Sequence, residues 1–365
     1  SHPYDKGVEK FIKMKNPTNN NEIIIFRQHG PIYGENSAPS KWEDTIAPWI
    51  EEQGLTRGKN EPCVFYCPKR DLLCLLYVDD IFLDGKPEDV HWFYGMLSSR
   101  FETKPLIILE EGSQIDYLGM EVSKDKMGLY VSMQEYTSRF LDFMGMDGSG
   151  KGKSVVLDPY NPDIEDDPTE LDPKRRRIFM SGLGMVGWLT NCFRADLSYS
   201  YSRIAQHMAT PTEGGYQKLL WVARYLKGTY HYGAFTPNRK PGEPTQWRFF
   251  TDSDLASDRS VQNKGKSRSG YICLANGFPI CYKSKTTSVA MCHPSMVENH
   301  ADVSSAAAEI YASGNSCMEF LHLSYCVSEM GKSFPRPFVL EMDNKSAEVF
   351  CKNTPTYAMK EYPNF

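Results

Sequence analysis

The stretch LLCLLYVDDIFLDG, residues 72–85, sets Asp79 and Asp80 side by side between two runs of large apolar residues. Burying one unpaired carboxylate is costly, and two like charges together cost more. The apolar runs 72–76 and 81–83 predict two strands joined by a tight turn, with the acids at the bend. Such a pair is tolerated where a divalent cation sits on it, because the ion's charge reverses the local repulsion. Magnesium takes a few carboxylates plus substrate phosphates. Two such ions, roughly 3.5–4 Å apart, stabilise the attacking and leaving oxygens of a phosphoryl transfer. The plain alternative is an Asp-rich turn with no such role.

The 365 residues suggest two or three domains, each large enough for a core. Hydrophobic residues make up 41% and charged residues 24%, an ordinary globular balance. A net charge of −5 announces no nucleic-acid partner for the chain as a whole, although local basic faces are compatible with it. Neither a bilayer-length apolar run nor a secretory signal is evident, so a soluble intracellular protein is expected. The opening Ser1-His2-Pro3 lacks an initiator Met, which suggests a fragment or a processed product. Cys74, Cys273, Cys281 and Cys317 lie in apolar runs, as reduced buried thiols do. Cys63 with Cys67, and Cys292-His293 with His300, admit a zinc reading, but no second Cys pair or matching His pair completes a site.

Outward from the opening stretch, residues 23–26 and 63–66 read as strands. Trp42, Ile46, Trp49 and Ile50 share a helical face, interrupted by Pro48. A helix is expected over Val90–Phe101, then a strand pair at 117–122 and 128–131. SMQEYTSRFLDFMGM is amphipathic, with Ser132 and Glu135 at capping-box spacing. Residues 151–173, rich in Pro and Asp, read as an extended connector. Helices resume over 174–227, with Leu219, Val222, Ala223 and Leu226 inward and Lys218, Arg224 and Lys227 outward, and a second linker spans 237–244. QWRFFTDSD is a strand reaching an acidic end. Asn276-Gly277 joins two apolar runs as a hairpin turn. A long helix over 304–330 stops at Gly331, and PFVLEMDN is a strand ending in an acid before a helix at 346–351.

These residues carry a resemblance. Tyr-Val-Asp-Asp in an apolar hairpin resembles the palm motif of reverse transcriptases. The following SSRFETK (98–104), YLGMEVSKDKMGLYVSMQEYTSRFLDFMGM (117–146) and FRADLSYSYSRIAQHMATPTEGGYQKLLWVARYLKGT (193–229) resemble the polyprotein of Ty1/copia-type retrotransposons. Later, TDSD, RSGYICLANGFPICYKSK, AEIYA and DNKSA come in that family's order. The resemblance runs from about Phe11 to about Asn353. It implies an α/β (α+β) fold: a partial palm over 1–131, a helical thumb or connection over 132–236 containing the linker 151–173, and an RNase H-like domain with a mixed sheet over 245–365, shortened at its C-terminus. It implies catalytic and metal-holding roles for Asp79 and Asp80, and for Asp252, Glu309 and Asp343. It implies Mg²⁺ or Mn²⁺, which suit the same oxygen ligands. It implies RNA–DNA hybrid or RNA/DNA template-primer as partner, with Lys218, Arg224 and Lys227 meeting its backbone. The setting implied is intracellular, cytoplasmic within a virus-like particle or nuclear, with no membrane. The alternatives are a solvated basic helix face and three unrelated surface acids.

The chain departs from the family in four places. The family's further palm aspartate lies in an Asp-Val-Lys-Thr-Ala-Phe-Leu type segment; residues 2–17 resemble the family's next segment, just C-terminal to that one, and the surroundings of Asp5 do not match. The fingers are then missing too, and polymerisation by this chain alone is not expected. Asn36 and Ser37 stand where the family has Lys and Gln in PIYGENSAPSKWED (31–44). Residues 286–304 insert a segment before Glu309, and the tail shows no fourth nuclease acid or histidine. Three readings result: an incomplete polymerase with a hybrid-cutting nuclease, a non-catalytic remnant that binds nucleic acid or serves as a structural part, and a stand-alone hybrid nuclease.

Overall fold

The computed structural model describes residues 10–15, 22–28, 38–146, 152–157, 167–240, 242–255, 266–290 and 305–353. Two compact units divide the chain. One comprises Ser1–Thr103 with Cys326–Lys332, the other Lys104–Tyr325 with Ser333–Phe365.

In the first unit, β1 (Lys10–Lys15) and β2 (Ile23–Gln28) form an antiparallel pair. Helix α1 (Ala38–Glu52) runs on through Pro48. Strands β3 (Thr56–Arg57), β4 (Val64–Cys67), β5 (Leu72–Tyr77) and β6 (Asp80–Asp84) then make an antiparallel sheet in sequence order, followed by α2 (Pro87–Arg100). The period-2 rule accounts for β5: Leu72, Cys74 and Leu76 are buried while the residues between them are more open. They pack with Ile46 and Ile50 of α1 and Phe93 and Leu97 of α2. Burying a Leu or Phe side chain stabilises by about 1.5–3 kcal/mol, so this layer of helices anchors the hairpin that carries Asp79 and Asp80.

The second unit begins with β7 (Gln114–Tyr117), β8 (Met120–Lys124) and β9 (Gly128–Ser132). Helices α3 (Gln134–Phe143), α4 (Pro173–Cys192), α5 (Ser198–Ala205) and α6 (Glu213–Gly228) come next, with a short 3-10 turn at Ala195–Leu197. Strand β10 (Ala234–Pro237) pairs with β9, so residues 114–132 group with the helices that succeed them. Asp172 caps α4 by accepting from the backbone N–H of Lys174 and Arg175, with Pro173 at the first turn. Residues 152–157 form no helix or strand, as a connector should, yet they pack: Leu157 is buried and Trp221 donates from its indole to the Val155 carbonyl.

The expected capping box at α3 is replaced by another device. Met133 is the N-cap residue and makes no side-chain cap. Glu121 on β8 caps the helix instead. Its carboxylate accepts from the Ser132 hydroxyl at 2.6 Å and from the N–H groups of Gln134 (3.0 Å) and Glu135 (2.7 Å). A full negative charge on two orphan N–H groups satisfies them and complements the helix dipole.

The last layer is a sheet ordered β13-β12-β11-β14, from β11 (Trp247–Asp254), β12 (Lys266–Ala275), β13 (Phe278–Ala290) and β14 (Leu340–Glu341). Its pairs are antiparallel except β11 with β14, which is parallel, so the sheet is mixed. Asn276 and Gly277 both have positive φ, 52° and 85°, as a two-residue hairpin of primed type requires. Helix α7 (Ser305–Glu329) packs on the sheet through Phe320, which meets Phe249 and Cys273 in the core, and helix α8 (Lys345–Asn353) closes the chain's described part.

Candidate metal-binding acidic sites

Asp79 and Asp80 lie where the sequence predicts, at a turn between paired strands. Tyr77 pairs with Asp80, leaving Val78 and Asp79 as a two-residue loop, and both acids are exposed. Among the described residues, no third His, Cys, Asp or Glu completes a ligand cluster with them. Asp5 falls outside the described residues, as do Asn36, Ser37, Cys292, His293 and His300.

Asp252, Glu309 and Asp343, 57 and 34 residues apart in the chain, come together: each offers an oxygen within 4.8 Å of the others. Asp252 sits inside β11 rather than at its end, two residues before Asp254. Glu309 lies in the second turn of α7. Asp343 comes two residues after β14. Three contacts fix these positions. The hydroxyls of Thr251 and Ser316 meet at 2.9 Å, tying β11 to α7 beside Asp252. The Ser253 N–H donates to Glu309 Oε1 at 3.2 Å. Asn344 caps α8 by accepting from the Ala347 N–H, which holds the turn that carries Asp343.

Electrostatics set Glu309 apart. It is buried, whereas Asp252 and Asp343 are exposed, and its Oε2 has no protein hydrogen-bond partner. Burial first, then the charge of Asp252, push its carboxyl up to about 7; the Ser253 N–H pulls the other way, and Asp343 adds to the rise. A buried oxygen without a donor, facing two further carboxylates, suits a cation. Beside the cluster a cavity of about 670 Å³ is lined by Asp252, Asp254 and Asp343 together with Tyr199, Arg268 and Lys283 among others.

The basic residues divide. Arg224 is exposed and Lys227 half-buried. Lys218, expected outward, is buried at 7% exposure. The inward stripe of α6 is wider than the spacing of Leu219, Val222 and Leu226 suggests, because Tyr225 and Trp221 are buried as well.

Residues 5–156 match the family model described as reverse transcriptase (RNA-dependent DNA polymerase). Over 334 residues the chain is 27% identical to the "Retrovirus-related Pol polyprotein from transposon RE1" of Arabidopsis thaliana, a match covering 88% of this chain and 20% of that protein. Over 348 residues it is 26% identical to the "Truncated transposon Ty1-A Gag-Pol polyprotein" of Saccharomyces cerevisiae, covering 90% and 27%. The chain spans about a fifth to a quarter of the length of these curated relatives. Residues 5–156 are thus a reverse transcriptase domain of a retrotransposon polyprotein. The match over these residues and the similarity to these relatives support a copia-type retrotransposon reverse transcriptase. No described helix is long and apolar enough to cross a membrane.

Proposed function

We propose that the chain joins a reverse transcriptase palm, with Asp79 and Asp80 as its acids, to a ribonuclease H-like domain that cuts RNA in RNA–DNA hybrids by two-metal phosphodiester chemistry. The convergence of Asp252, Glu309 and Asp343 carries this reading, since a mixed sheet, a long helix and a following turn each contribute one acid. Mg²⁺ or Mn²⁺ fits this donor set: three hard carboxylates, one with a buried oxygen that lacks a donor. Bound there, such ions supply a water of lowered pKa and charge for the departing oxygen. The residues do the holding. Ser253 fixes one oxygen of Glu309 and leaves the other to the cluster. Thr251–Ser316 and the Asn344 cap keep the strand, helix and turn in register before substrate arrives. Water then adds to phosphorus as the bond to the leaving sugar oxygen breaks. Arg224 and Lys227 contact the duplex phosphates in this reading, and buried Lys218 is dropped from that role.

The test is cleavage of an RNA–DNA duplex with Mg²⁺ or Mn²⁺, wild type against Asp252→Asn. The variant is expected to lose roughly 10²-fold or more, as removal of a group that stabilises transition-state charge does. Equal cutting by both proteins sinks the nuclease assignment. For the polymerase half the exposed pair Asp79 and Asp80 also admits a second reading, a palm that binds template-primer without extending it. Primer extension on an RNA template separates the two.

A further inference from the structure

We propose that Trp42 is a positioning residue for the Tyr-Val-Asp-Asp turn, fastening the Val78 carbonyl so that Asp79 and Asp80 are presented in one geometry. The value of this to chemistry rests on the reading of those acids as polymerase carboxylates; the clamp itself rests on geometry alone.

The turn is under strain at one residue. Val78 has φ +55°, and Asp79 is not in the left-handed region, which is the pattern of a type II′ turn. That first central position favours glycine. A β-branched residue there is a genuine outlier, because its Cβ crowds the backbone. Burial does not hold Val78 in place, since the residue is 51% exposed. The two acids that come next, Asp79 and Asp80, are exposed as well.

A hydrogen bond from far along the chain holds it. The Trp42 indole N–H donates to the Val78 carbonyl at 2.6 Å, across 36 residues. The indole is itself fixed by a relay of rings. Trp42 meets Phe101 edge-on at 5.4 Å, Phe101 meets Trp49 edge-on at 5.2 Å, and Trp49 lies 5.9 Å from the fully buried Phe93. Edge-on and tilted pairs at such separations are favourable beyond the area they bury. The relay thus carries the rigidity of the α1–α2 core out to an exposed turn. Strained backbone persists only where its surroundings over-determine it, and here the Tyr77–Asp80 strand pairing and the Trp42 donor act on the turn together.

Hydrogen exchange on the full chain, read by mass spectrometry over residues 72–85, tests the clamp. Trp42→Phe keeps a ring against Phe101 and removes the donor. It is expected to raise exchange at Val78–Ile81 by roughly tenfold, the ratio that one net hydrogen bond supports, while peptides at 46–50 and 93–97 stay protected. In a Val78→Gly background the left-handed residue costs nothing, so adding Trp42→Phe is expected to change exchange at the turn little. Unchanged exchange in Trp42→Phe overturns the clamp. So does an equal loss of protection in the core peptides, and so does a full Trp42→Phe effect in the Val78→Gly background. Mn²⁺ addresses the other reading: if wild-type amides 77–81 show no paramagnetic broadening, the polymerase assignment of Asp79 and Asp80 fails and the clamp stands.

Discussion

A carboxylate with one oxygen buried and lacking a donor is a poor resident of a protein interior unless something charged arrives. Glu309 is in that position, with Asp252 and Asp343 adding repulsion to its burial. The cluster therefore costs stability, and under the proposed metal-binding role a cation would relieve it. Glu309→Gln is expected to raise the melting temperature in chelator by about 2–4 °C, the shift that 1 kcal/mol gives a domain of this size. Millimolar Mg²⁺ is then expected to stabilise the wild type and to leave the variant nearly unmoved. Equal stabilisation of both proteins by Mg²⁺ means the ion binds elsewhere. The three acids are legible in the sequence only as strand-end and helix-start acids in a particular order. Their convergence is legible through the family resemblance, because no periodicity reports which distant strands become neighbours. The depth of Glu309 is not legible, since burial of one acid among Ala306, Ala307 and Ala308 depends on which face of α7 meets the sheet.

Elements are legible where one period rules and obscure where two compete. The β5–β6 hairpin comes from two apolar runs around an acidic turn and the Asn276-Gly277 hairpin from turn chemistry, and both are present. The start of α3 departs from its sequence signal for a physical reason. Ser132 and Glu135 have capping-box spacing, but Ser132 is the last residue of β9, so its hydroxyl turns to Glu121 on the neighbouring strand. A cap delivered from across a sheet leaves no local signature. Glu121 is accordingly held below the ordinary carboxylate value of 4.5: burial pushes it up, and the Ser132 hydroxyl with the N–H groups of Glu135 and Gln134 outweighs burial. A depressed folded pKa gives stability that is present above the unfolded value and is lost as pH falls through the folded one. Glu121→Gln is expected to cost about 1 kcal/mol at pH 7 in urea denaturation, the usual worth of a cap. The gap is expected to close as the wild-type carboxyl protonates on the acid side of 4.5. A gap that stays constant down to full protonation means that packing, not charge, makes Glu121 valuable.

At the scale of the whole molecule, net charge limits how nucleic acid would be held under the proposed function. At −5 the chain has no general attraction for a polyanion, and its two acidic sites repel one. Binding would then depend on local basic residues and on cations, with few phosphates neutralised directly. The composition makes that much legible. Which basic residues remain available is not legible, because the inward stripe of α6 takes in Lys218 as well as the apolar residues. Arg224, exposed on the same helix, is the better candidate for a phosphate contact. Each phosphate neutralised contributes about 0.9 to the slope of log affinity against log salt on duplex DNA. Hybrid binding in Mg²⁺-free buffer is therefore expected to show a shallow slope, and Arg224→Ala is expected to lower it by about one while weakening binding to all sequences alike. The measurement is a salt titration of affinity for two hybrids of unrelated sequence. An unchanged slope places Arg224 on a solvated face, and the duplex path then has to be sought along another surface of the second unit. A loss confined to one of the two sequences points instead to base contact, which a residue on an exposed helix flank reaching only the phosphate backbone does not make.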